Sequence, residues 1–294
     1  MKTTTDSKAP RKWKFSEKSR NVHLMEISLP RVGDEQHVLL QSDVHWDNPH
    51  CKLDVWKRHM DEARALDAPI MDNGDFFCAM QGKYDPRSSK HDIRPEHLGS
   101  NYLDLLIETA DKALAPYSDL LTLRGQGNHE TSIGKRHETD LTARLTERLK
   151  QRDSSACTGG FSGWVRFSIA LSATSRQAFK LWYHHGYGGG GPVTRGTIQT
   201  SRIAVYCDAD LVWNGHTHDA WIMPIERIKL NAEDKVEFVR QTHIRTAGYK
   251  DEYADGHGGW HIERGGPPKP IGGAWLRFRH AKGGEIKLEI TEAQ

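Results

Sequence analysis

A chain of 294 residues with a formal net charge of +2 can bury one large core or two modest ones, and it carries no whole-molecule basic field of the kind that announces nucleic-acid binding. Cys51, Cys78, Cys157 and Cys207 are far apart and form no C-x-x-C pair. That argues against a disulfide scaffold or a thiolate zinc site and suits a reducing cytoplasm. No apolar run reaches the ~18 residues of a membrane span, and the first residues lack the apolar stretch of a secretory signal.

Basic residues gather at the front: over residues 1–20 seven Lys and Arg oppose Asp6 and Glu17, a balance of 7 − 2 = +5. Residues 1–20 therefore read as a solvated, disordered tail, with a nucleic-acid-binding arm as the second reading. Strands follow over 22–30 and 37–43, the latter running Val38-Leu39-Leu40 into Ser42-Asp43. Val55, Trp56, His59, Met60 and Ala63 recur at helical spacing and predict a helix over 52–66. Pro69-Ile70-Met71 is a short buried strand closing on Asn73-Gly74-Asp75, and a polar loop runs from Gln81 to Pro95.

Leu103, Leu106, Ile107, Ala110 and Leu114 mark a second amphipathic helix. Leu120 to Leu123 is a strand that opens into Gly125-Gln126-Gly127-Asn128-His129-Glu130, and Leu141, Leu145 and Leu149 stripe the next helix. The second half is richer in strands, over 163–171, 178–184, 210–214, 220–230, 235–246, 273–280 and 284–291, with a Gly/Pro-rich loop at 256–273. The first half thus alternates strand and helix, with polar motifs at the carboxyl ends of strands, where open α/β sheets place their sites. A second sheet packed on the first is the simplest arrangement, and no linker divides residues 21–294 into two domains.

Five strand-end motifs carry chemistry: Asp43-Val44-His45, Gly74-Asp75, Gly127-Asn128-His129-Glu130, His184-His185-Gly186 and Gly215-His216-Thr217-His218. Each alone is ordinary; an isolated Asp-x-His is usually a turn and a single histidine usually a satisfied polar residue. Together they offer oxygen and imidazole donors and no thiolate, a set that suits manganese, iron or zinc. So many ligands exceed what one ion takes, whereas two ions ~3.5–4 Å apart can share a carboxylate, activate a water and stabilise an in-line displacement at phosphorus. Asp43 and His45, two apart on one strand, share a face.

The ordered set resembles the calcineurin-like metallophosphoesterases over residues 37–220. The resemblance implies a four-layer α/β/β/α sandwich with two mixed sheets, and a single metallophosphoesterase domain over 21–294. It implies two metal ions where the sheets meet: Asp43, His45 and His218 on one, Asp75 bridging, and Asn128, His185 and His216 on the second, with manganese favoured. His129 would be the non-ligand histidine that meets the phosphate and protonates the leaving oxygen. His185 is preferred to His184 because the family's ligand directly precedes glycine.

The chain departs from the family in one place. Many members continue the second motif as Gly-Asp-x-x-Asp, often with Arg-Gly after it, and the later Asp orients the catalytic histidine. Here that position is Cys78, followed by Ala79 and Met80, so the partner of His129 is open and Glu130 is a candidate. The departure weakens the likeness to protein Ser/Thr phosphatases and favours phosphodiesters, including nucleic acids and nucleotides, with a nuclease as one version. The alternatives are a phosphomonoesterase and, from another class, a non-catalytic metal-binding interaction module. Lys83 and Arg87 in the 81–95 loop, and Arg195 beyond the glycines at 188–191, are candidate phosphate contacts. A solvated loop is the plainer reading of the first segment, while for the second a mobile lid reaching Arg195 and a flexible surface loop stand level.

Overall fold

The computed structural model describes residues 11–80, 93–189, 191, 193–251, 253–258 and 260–294. Among these residues, two mixed sheets of seven and six strands make up the framework. The smaller sheet holds β3 (Glu35–Gln41), β4 (Ile70–Asp72), β5 (Leu121–Gly125), β6 (Cys157–Gly160), β12 (Gly273–Ala281) and β13 (Glu285–Ala293) in the order β13-β12-β3-β4-β5-β6. Its middle, β3-β4-β5-β6, is parallel. Parallel strands are covered on both faces, and Val38-Leu39-Leu40, Ile70-Met71 and Leu121-Thr122-Leu123 are buried runs accordingly.

Helices α1 (Leu53–Ala65), α2 (Tyr102–Leu114), α3 (Asn128–His137) and α4 (Leu141–Lys150) belong to this half. In α1 the buried residues are Trp56, His59, Met60 and Ala63, spaced so that one stripe meets the sheet while the rest faces water. The spacing predicts this helix to within a residue of its observed bounds.

The larger sheet runs β1-β2-β7-β8-β9-β11-β10, with β1 (Trp13–Ser19), β2 (Val22–Ser28), β7 (Ser162–Ala170), β8 (Arg176–His184), β9 (Leu211–Asn214), β10 (Trp221–Leu230) and β11 (Val236–Arg245). Along β7, Val165, Phe167 and Ile169 point to the core, and the Phe167 ring meets Phe278 of β12 at 4.9 Å. The two sheets therefore pack face to face. On the other side, Ile203 of α5 (Thr197–Tyr206) and Cys207 just after it pack with Val212, Trp164 and Trp182. A short helix, α6 (Trp260–Glu263), lies in the Gly/Pro-rich loop. Trp275 packs in the core.

The tail expected over 1–20 is corrected by strand β1, which pairs antiparallel with β2 from Trp13 to Ser19. Its alternation is the reason: Trp13 and Phe15 are buried in the core cluster while the lysines between and after them face solvent. Arg11 bridges Asp67 and Asp119. A count of charge alone misses that two aromatic residues two apart are enough to anchor an edge strand. Residues 1–10 lie outside the described residues.

Candidate metal centre

Smaller-sheet strands β3, β4 and β5 end side by side, and the loops leaving them bring Asp43, His45, Asp75, Asn128 and His129 to one seam. From the larger sheet, β8 ends just before His185, and β9 runs into Gly215-His216-Thr217-His218. Because β8 and β9 are parallel neighbours, their carboxyl ends reach the same seam.

The backbone there is bent in a way side-chain patterns do not reveal. Asp43, His45, Asp75, His216 and His218 have φ of 53°, 51°, 51°, 73° and 55°, in the left-handed region that costs non-glycine residues ~1–3 kcal/mol when held there. Strand β3 stops at Gln41, so Asp43 and His45 share a direction through this bent loop and not through a common strand face. Cross-loop hydrogen bonds enforce it: Asp43 N–H donates to Gly74 O (2.9 Å) and His45 N–H to Asp75 O (3.1 Å). A Cβ at Gly215 would stand 2.4 Å from Asp43 Oδ2, so only glycine lets the two sheets' loops meet there.

The predicted side chains converge in two groups. The ligand atoms of Asp43, His45 and His218 lie within 4.8 Å of one another, as do those of Asp75, His185 and His216. Asp43 Oδ1 is 3.4 Å from His218 Nε2 and 4.0 Å from His185 Nε2, so this carboxylate faces both groups. Asp75 Oδ2 is 3.1 Å from His185 Nε2 and 3.8 Å from His129 Nε2.

The donors fit divalent cations. His45 Nε2 and His218 Nε2 face each other at 3.1 Å, so two imidazoles aim toward one point. His185 Nε2 is buried and makes no well-aligned hydrogen bond, and Asn128 Oδ1 is buried without a partner. Orphaned donors and acceptors of this kind need an explanation, and a bound cation supplies one. His185 Nδ1 donates to Asn73 O at 2.8 Å, which fixes the ring and leaves Nε2 to the seam. His184 turns away: its Nδ1 accepts from Gly186 N–H (3.0 Å) and its ring lies by Trp182.

The electrostatics are those of buried anions and cations packed together. Burial opposes the charge on Asp43, but the His218 hydrogen bond and the His185 charge outweigh it and hold the carboxyl at about 2. Burial likewise opposes protonation of His185, yet Asp75 and Asp43 raise it to about 10. His45 falls well below its ordinary value through burial and the neighbouring His129 and His218.

His129 lies beside both groups. Its N–H donates to Asp75 Oδ1 (2.9 Å) and its ring packs edge-on against His45. Its Nδ1 donates to the backbone carbonyl of Cys78 at 2.6 Å. Glu130 is therefore not its partner, which corrects the sequence expectation. The Glu130 carboxylate instead accepts N–H groups of Asp75, Phe77 and Gly127 at 2.9, 2.9 and 2.8 Å, tying the second and third motifs together. Burial and the Asp75 charge push its carboxyl up to about 8, against the pull of the Phe77 and Gly127 N–H groups.

Of the candidate substrate contacts, Lys83 and Arg87 lie outside the described residues. Arg195 is exposed with φ of 45°, and it is its carbonyl that accepts from Trp221 Nε1 (3.1 Å). Arg94 is occupied by Trp46 O (2.9 Å) and Glu96 (2.6 Å).

Sequence reading missed Arg245, buried at the end of β11, whose Nη1 donates to Thr217 Oγ1 at 2.7 Å and so braces the turn between His216 and His218. It missed the buried Lys269–Asp219 pair (2.7 Å) that ties the Gly/Pro-rich loop to the same turn. It also missed Asp47, although the alternation Asp43-x-His45-x-Asp47 was in view.

No protein-family model matches the chain, and no curated protein matches it. Solved structures do. A metallophosphoesterase from Sphaerobacter thermophilus is 14% identical, with 89% of each chain covered and a TM-score of 0.37. A predicted phosphoesterase from Streptococcus pneumoniae is 11% identical, covering 88% of this chain and 91% of its own, at a TM-score of 0.31. Vps29 of Chaetomium thermophilum is 6% identical, covering 87% and 95%, at 0.34.

Proposed function

We propose that this chain hydrolyses phosphate esters with two divalent ions, manganese favoured over iron or zinc, and that its substrates are phosphodiesters of nucleic acids or nucleotides. The observation that supports this is the pair of abutting groups, Asp43–His45–His218 and Asp75–His185–His216, with buried donor atoms left over between them. Ions bound there would acidify a water and neutralise the oxygens of an in-line displacement.

The chain's own residues do the rest. Asp43 and Asp75 are aimed by backbone N–H donors from His216 (2.9 Å) and His129 (2.9 Å). His185, its Nδ1 donating to Asn73 O, is held with Nε2 toward the seam, where it would become a ligand once a cation displaces its proton. His129, with Nδ1 tied to Cys78 O, presents Nε2 to the seam, where it can hold a proton for the leaving oxygen. The preference for diesters rests on Cys78-Ala79-Met80 standing where the protein-phosphatase signature would run. Free, buried cysteines suit a reducing compartment, and we assign the protein to the cytoplasm; among the described residues no helix is long and apolar enough to cross a membrane.

The test is hydrolysis of a chromogenic phosphodiester and its monoester counterpart with manganese, beside Asp75→Asn. Diester turnover lost in the variant is the expected result. Monoester turnover alone would make the protein a phosphomonoesterase. Stoichiometric metal without turnover of either would favour a binding module.

A further inference from the structure

The proposed proton donor, His129, lacks the side-chain carboxylate that its resemblance leads one to expect. The structure supplies a carboxylate at one remove. Asp47 is buried, with Oδ1 accepting the Cys78 N–H at 2.6 Å and Oδ2 accepting the Ala79 N–H at 2.9 Å. The Ala79 N–H and the Cys78 carbonyl are the two ends of one peptide group. That same carbonyl accepts the His129 Nδ1–H at 2.6 Å.

A continuous chain therefore runs from the Asp47 carboxylate through the N–H and C=O of the Cys78–Ala79 peptide to the His129 ring. Tyr102 closes its far end, its hydroxyl donating to Asp47 Oδ2 at 2.6 Å. Ala79 has φ of 49°, a left-handed alanine that costs energy to hold. The Cys78 thiol takes no part in the chain; Asn48 Nδ2 lies 3.7 Å from Sγ.

We propose that Asp47 is a positioning residue for His129, acting through the Cys78–Ala79 peptide in place of a directly bonded carboxylate. An anion on a peptide N–H polarises the carbonyl at the other end, and hydrogen bonds in series strengthen one another in a low-dielectric interior. The polarised carbonyl holds the Nδ1 proton and the ring angle, so that Nε2 stays toward the seam. The catalytic importance of this arrangement rests on the phosphoesterase reading; the arrangement itself does not.

The test is nuclear magnetic resonance of the zinc-loaded full chain with 15N-labelled histidine. The His129 Nδ1–H signal is identified by its loss in His129→Gln, and the His185 Nδ1–H, bonded to Asn73 O, serves as an internal control. In Asp47→Asn the His129 signal should move upfield and its proton exchange with water about tenfold faster, as expected when one hydrogen bond of a series is weakened. Tyr102→Phe removes a donor that competes with the Ala79 N–H for Asp47 Oδ2, so it should move the signal downfield by less, and it decides the matter should Asp47→Asn not fold. The His185 signal should stay in place in both.

A His129 signal unmoved in both variants would overturn the proposal. So would His129 and His185 signals shifting together, which marks general loosening, or a wild-type His129 with no protected Nδ1–H. None of these readouts needs turnover. An inactive wild type would sink the phosphoesterase reading while leaving the peptide-relayed coupling to be judged by the spectra.

Discussion

The two sheets bring different chemistry to the seam they share. All the oxygen donors, Asp43, Asp75 and Asn128, leave the smaller sheet, accompanied by His45 and His129, whereas the larger sheet contributes imidazoles alone, His185, His216 and His218. The halves are laced together by polar groups that cross between them. His216 N–H donates to the Asp43 carboxylate, His185 Nδ1 donates to Asn73 O, and Ser42 bonds Thr246 at 2.7 Å. The seam thus cannot be assembled from either sheet alone. Losing a carboxylate should remove charge that ions need, while losing an imidazole should leave buried carboxylates without a counterion.

The largest effect is expected from Asp75→Asn. Its carboxylate faces His185 and His129, and its loss should lower turnover by about 10²–10³-fold or more, in keeping with removal of a preorganised electrostatic group. Steady-state rates at saturating manganese check this.

Next comes Gly127→Ala on the smaller-sheet side. The added Cβ would lie 2.0 Å from Asp75 Oδ1 and 2.6 Å from Asp75 N. It should destabilise by about 1–3 kcal/mol, as overpacking does, and displace Asp75 as well. Thermal unfolding and metal content should therefore fall together, and a full metal complement in a destabilised variant would show that the close approach is structural only.

The imidazole half is sharpened by pH. His185 is raised to about 10 in the metal-free protein, so a cation must displace its proton, and affinity should rise about tenfold per pH unit across the neutral range. The sign for stability is the reverse. The protonated His185 stabilises the metal-free fold fully below its unfolded value of ~6.5, and that contribution is lost as pH rises through about 10. Titration calorimetry at several pH values measures the first, and denaturant unfolding of metal-free protein the second.

The smallest effect is expected away from the seam. Asp119 is held below the usual carboxylate range by Arg64, with burial opposing and Arg11 assisting, but its side chain is 40% exposed. Asp119→Asn should cost under ~1 kcal/mol and leave turnover unchanged. What it contributes is present above the unfolded value of ~3.9 and fades as pH falls through the folded one.

Local signals were legible in the sequence and relayed ones were not. The five motifs could be found because each places its donors within a few residues at a strand end, and α1, α2, α4 and most strands could be found because their apolar periods are strong. Strand β1 hid behind its lysines, and α5, with only Thr200 and Ile203 buried along it, showed no stripe. Helix α3 begins inside the third motif, where its polar residues read as a ligand loop. The partner of His129 could not be read at all, because it is a main-chain carbonyl whose identity no side chain announces. Asp47 reaches across 31 positions to the Cys78 N–H. The role of Glu130 was misassigned for the same reason: its partners are backbone N–H groups of Asp75, Phe77 and Gly127.

The measurement that bears most directly on the account is metal stoichiometry after reconstitution with manganese, read together with electron paramagnetic resonance. Two ions per chain with a spin-coupled signal, falling to one or none in Asp75→Asn, is the predicted result, since ions ~3.5–4 Å apart through a shared carboxylate interact magnetically. One uncoupled ion per chain, or none in the wild type, would contradict a dinuclear centre between the sheets.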